Sequence, residues 1–134
     1  MDNTNVLVDF RIIGDNYNIQ EITDILLIKP SRYWKSGDDI LQTGRKYDCT
    51  EWIFSTGYEE TLDISTQIKK IKSIFLEKSN QLVSLREKYN LKYCIEIVIK
   101  IENNAVPAIY LDSEIINFAA IIGATFDFDT YINF

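Results

Sequence analysis

Between residues 93 and 101 the chain alternates without a break. Tyr93, Ile95, Ile97, Ile99 and Ile101 fall on one side, and Cys94, Glu96, Val98 and Lys100 on the other. A period of two marks an extended strand whose alternate side chains line opposite faces. The isoleucine stripe is core. The same period recurs three times, more weakly. Val6 to Ile13 sets Val6, Val8, Phe10 and Ile12 against Leu7, Asp9, Arg11 and Ile13. Tyr47 to Thr56 sets Thr50, Trp52 and Phe54 against Cys49, Glu51 and Ile53. Thr125 to Ile132 sets Phe126, Phe128, Thr130 and Ile132 against Asp127, Asp129 and Tyr131.

Helical signals lie between these strands. Asn18 stands three residues before Glu21, a capping-box spacing, and Ile19, Ile22, Leu26 and Leu27 follow at helical intervals. Pro30 is expected to stop that helix. Asp63 is a cap for a second helix with the stripe Ile64, Ile68, Ile71 and Phe75, flanked by a solvated Lys69, Lys70 and Lys72. A break is expected at Lys78-Ser79-Asn80, then a shorter helix through Leu82, Leu85 and Tyr89 that ends at Asn90. Ser31 to Asp39 reads as an ordered loop. Glu102-Asn103-Asn104 reads as a hairpin turn, with Val106 to Leu111 as its antiparallel return. Asp112 or Ser113 caps a last helix carrying Ile115, Ile116, Phe118, Ala119 and Ile122, and Gly123 stops it. The expected fold is α+β: a two-layer sandwich, ferredoxin-like or related, with a mixed, mainly antiparallel sheet and helices on one face. A chain of 134 residues without linker or repeat is expected to form one domain, 1–134.

Fourteen basic and twenty acidic residues leave a net charge of −6. Such a chain repels phosphate, so nucleic acid and anionic membranes are poor partners, whereas a basic protein surface is favoured electrostatically. Cys49 and Cys94, each within a strand, read as small buried hydrophobes. The polar start Met1 to Asn5 carries no leader pattern, and no stretch reaches membrane-span length, which makes the cytoplasm the expected location. Histidine is absent, and with it the commonest general base and metal ligand. Five scattered glycines form no phosphate-cradling loop, and two cysteines are too few for a zinc site. No cofactor and no enzymatic activity are expected.

The chain resembles the bacterial family known as domain of unknown function 4279. The resemblance runs through Ile22-Thr23, Leu26-Leu27, Pro30-Ser31, Trp34-Lys35-Ser36-Gly37-Asp38 and Trp52-Ile53-Phe54-Ser55. It closes with Leu111-Asp112-Ser113-Glu114, Phe118-Ala119 and Gly123-Ala124-Thr125-Phe126-Asp127-Phe128-Asp129. It implies a small stand-alone bacterial protein of no agreed activity. By analogy with similar small acidic families, an immunity role against a neighbouring toxin is one expectation.

Two groups of residues are candidates for function. Asp127 and Asp129 share a strand face, and Asp9 joins them if the terminal strands are neighbours. Such carboxylates can hold Mg²⁺ or Ca²⁺ or act as an acid–base pair, or simply solvate an outer face. Arg32, Tyr33, Trp34, Lys35 and Asp38 combine aromatic and basic side chains of the kinds enriched at contact sites. The alternative for Trp34 is a lid sealing the core, its indole N–H bonded to backbone. The leading expectation is a protein-binding module, with a basic toxin among its partners. A carboxylate-dependent enzyme or ligand binder is the alternative, and an oligomer paired through a strand edge is a third. Monomer and homodimer are both compatible with the sequence.

Overall fold

The structure, a computed structural model, describes residues 3–133. In chain order its elements are β1 (Asn5–Gly14), α1 (Ile19–Leu26), β2 (Arg32–Trp34), β3 (Asp39–Ile40), β4 (Arg45–Lys46), β5 (Thr50–Ser55) and β6 (Glu59–Glu60). There follow α2 (Ser65–Phe75), a 3-10 turn (Leu76–Lys78), α3 (Ser79–Tyr89), β7 (Lys92–Glu102), α4 (Ser113–Ile122) and β8 (Ala124–Asn133). The main sheet runs β2-β5-β1-β7-β8, with β6 pairing the first residues of β1 beyond the end of β5. Every pair is antiparallel except β7 with β8, and α4 supplies the crossover that a parallel pair requires. β3 and β4 form a separate small hairpin. Among the described residues no helix is long and apolar enough to cross a membrane.

All four helices contribute to a core on one face of the sheet. Val6, Val8, Phe10 and Ile12 of β1 and the Tyr93 to Ile101 stripe of β7 are buried there with Trp52. Above them lie Ile22 and Leu26 of α1, Ile68, Ile71 and Phe75 of α2, Leu82 of α3, and Ile115, Phe118 and Ile122 of α4. Phe75 sits at the centre. It stacks on Phe10 at 4.3 Å between centroids and meets Trp52 and Phe54 edge-on. The Trp52 indole N–H donates to Thr23 Oγ1 at 3.1 Å, so a large ring is buried without an orphaned donor.

The caps act locally, as expected. Asn18 accepts from the Glu21 N–H, Asp63 from Ser65 and Asp112 from Ile115, while Asn90 and Gly123 end their helices in left-handed conformation. Four expectations need correction. α1 stops because Leu27 itself turns left-handed (φ 58°), three residues before Pro30. No break separates α2 from α3, since the 3-10 turn carries the chain through Lys78. Arg32 to Trp34 forms an edge strand on β5 within the expected loop. Val106 to Leu111 is not an antiparallel return: both sides of β7 are taken, by β1 and β8. That segment crosses toward the start of α2, where Ala108 N–H donates to Leu62 and its carbonyl accepts from Ile64.

Candidate functional site

The opposite face of the sheet carries no helix, and the strand register decides what it presents. Residues paired across strands share a face, so Asp9 lies beside Glu96, Glu96 beside Asp127, and Val98 beside Asp129. By the same parity the face holds seven carboxylates, those of Asp9, Glu51, Glu60, Glu96, Glu102, Asp127 and Asp129. Four cations, Arg11, Arg32, Lys92 and Lys100, stand among them. The excess of three negative charges is half of the chain's net −6.

A buried network forms the centre of this face. Arg11 reaches Glu51 at 2.7 Å, Glu96 at 3.3 Å and Asp9 at 3.9 Å. Arg32, arriving from β2, closes over Asp9 Oδ2 at 2.8 Å. The Asp9 side chain is only 2% exposed, and its Oδ1 has no hydrogen-bond partner among the described residues. Burial works against the Arg11 charge, but Glu51, Glu96 and Asp9 outweigh it and raise its pKa. Glu96 is pushed the other way for a carboxylate. Burial first, then Asp9, Asp127 and Asp129, hold its proton above the usual range despite Arg11.

Beside this network runs a groove of about 590 Å³. Asp9, Glu96, Glu102 and Asp129 give it an anionic floor and wall, and Tyr58 and Tyr131 supply aromatic surfaces. Lys100 already places its ammonium 4.5 Å from the centre of the Tyr58 ring. Tyr131 donates to Asp129 at 3.0 Å. The groove is thus shaped to receive positive charge, by Coulomb attraction and by an aromatic face. Among the described residues no three His, Cys, Asp or Glu side chains are placed to hold a metal ion.

The residues singled out from sequence are partly brought together. Asp9, Asp127 and Asp129 do share the open face, but the terminal strands are not neighbours. β7 lies between them and adds Glu96, which sequence reasoning missed. The signal was present: Glu96 is an acidic residue midway along a strand whose other face is wholly apolar. Of the aromatic–basic group, Arg32 joins Asp9 and so links the two candidate sets. Trp34 points to the helix-free side, opposite Glu51, and stacks on Tyr47 at 4.3 Å; it does not seal the main core, and its N–H has no hydrogen-bond partner. Tyr33 faces the other way, toward Tyr17 and Tyr89, in a second cleft beside α1. Lys35 and Asp38 build the turn into β3, with the Asp38 carboxylate accepting the Lys35 N–H. Cys49 and Cys94 are half-buried free thiols, both pushed up by burial first.

No curated protein and no solved structure matches the chain. A family model does, over residues 3–133, nearly the whole length. The chain therefore belongs to the family described as domain of unknown function (DUF4279).

Proposed function

We propose that this protein is a binding module that receives a basic protein partner on the helix-free face of its sheet. The observation that carries the reading is the groove itself: carboxylates of three strands line it, and Tyr58 already holds one ammonium group within it. Partner lysine or arginine side chains entering there gain cation–π contact and charge pairing, while the excess negative charge speeds encounter. A toxin with a basic surface is one partner of this chemistry. Such a gene beside this one would favour the immunity form of the reading.

The test is binding of a fluorescent lysine-rich peptide, followed by anisotropy at low and moderate salt. Asp127→Lys with Asp129→Lys reverses charge on the open face. Glu77→Lys with Glu87→Lys makes the same net change on the exposed helical side. The first pair is expected to weaken binding by at least about tenfold, ~1.4 kcal/mol, and the second by much less. Equal losses would mean that net charge alone attracts the peptide, and the site reading would fail.

A further inference from the structure

The two edges of the main sheet are built differently. At one edge β2 has three residues, follows Pro30 and carries Arg32, features that blunt an edge against pairing. At the other, β8 runs ten residues with neither proline nor lysine, and nothing among the described residues hydrogen-bonds along its outer side. Phe128, Tyr131 and Ile132 of this edge are 41%, 53% and 59% exposed. α4, which packs against β8, leaves Ile116 and Ile121 about half exposed as well. A long apolar edge with no blunting device is a pairing surface.

We infer that β8 pairs with β8 of a second copy, antiparallel about a two-fold axis through Thr130. Such an axis stands perpendicular to the sheet, so it keeps the open face open and matches only residues of like parity. The carboxylates then select the register. Axes at residues 127, 128 or 129 set Asp127 or Asp129 directly against its own copy or against the other, and opposed like charges destabilise a sheet. An axis at Thr130 removes every such clash. Asp129 then faces Tyr131 of the copy, repeating the hydroxyl–carboxylate pair already made within the chain. Asp127 faces Asn133, and Phe128 meets Ile132, covering exposed apolar surface on the helical side. Because Asp129, Tyr131 and Asn133 also line the groove, the dimer sets two grooves side by side across one continuous sheet. The inference goes beyond the binding reading and stands without it.

Sedimentation of the wild-type chain over a concentration series reads this directly. The mass is expected to rise from 15.6 kDa to twice that value, and more readily at higher salt, which screens two acidic copies from each other. Register is read by oxidising Thr130→Cys in a Cys49→Ser, Cys94→Ser background, with folding checked by circular dichroism. Opposed residues of antiparallel strands lie about 4.5–5.5 Å apart at Cα, within disulfide reach. Thr130→Cys is therefore expected to form a covalent dimer on a non-reducing gel, and Thr125→Cys to remain monomeric. A wild-type chain that stays monomeric at every concentration overturns the inference. So does cross-linking at residue 125 in place of 130, or an edge that pairs only with a different protein.

Discussion

Replacing Arg11 with methionine keeps most of the buried stem and removes the charge that three carboxylates share. Asp9, Glu51 and Glu96 are 2%, 11% and 19% exposed, and Arg11 itself is 19% exposed. Breaking a buried ion pair by deleting one partner costs about 3–5 kcal/mol, because the remaining charge is left uncompensated. Here Arg32 still covers Asp9 at 2.8 Å, and the flank of the network reaches solvent. The loss should therefore fall at the lower end, ~3 kcal/mol at neutral pH. The sign of the pH dependence follows. Without Arg11 the crowded carboxylates hold protons in the folded state at pH values where the unfolded chain has released them. Stability of the variant then falls as pH rises through that window, so its deficit is largest at neutral pH and shrinks toward about pH 4. Urea unfolding at both pH values measures it. A deficit below ~1 kcal/mol, the scale of an exposed pair, or one that does not change with pH, would refute the buried-network account.

Two further substitutions test separate parts of the structure. Glu96 has a raised pKa, so its ionised form is worse tolerated folded than unfolded; it withdraws stability as pH rises from the unfolded value through the folded one. Glu96→Gln should therefore raise the melting temperature at neutral pH, with the gain vanishing in acid; a lower melting temperature at neutral pH contradicts the sign. Phe75→Ala empties the centre of the aromatic cluster with Phe10, Trp52 and Phe54, and about 3–5 kcal/mol should be lost in urea unfolding.

What could be read from sequence divides by the range of the interaction. The isoleucine stripe of β7 gives away both faces of the sheet, since burial imposes a period of two wherever one side is packed. Asn18, Asp112 and Gly123 are legible because a cap bonds only to its own first or last turn. The partner of β7 was not legible. A hairpin return from Val106 and a crossover to β8 present the same local pattern, and which strand takes the open side of β7 is settled by distant packing. Arg32 to Trp34 reads as loop because three residues are too few to show a period. Within the candidate site, Asp9, Asp127 and Asp129 were visible as carboxylates on strands. Arg11 and Glu96, which organise them, emerge only once β1, β7 and β8 are placed side by side.

The central claim is that positive charge is received at the groove on the helix-free face. Amide NMR of the isotopically labelled wild-type chain, titrated with the lysine-rich peptide, locates the contact residue by residue. The account predicts shifts concentrated at Glu96, Val98 and Lys100 of β7 and at Asp129 and Tyr131 of β8, with the amides of α2 and α3 still. Shifts spread over the helical layer, or confined to it, would contradict the account.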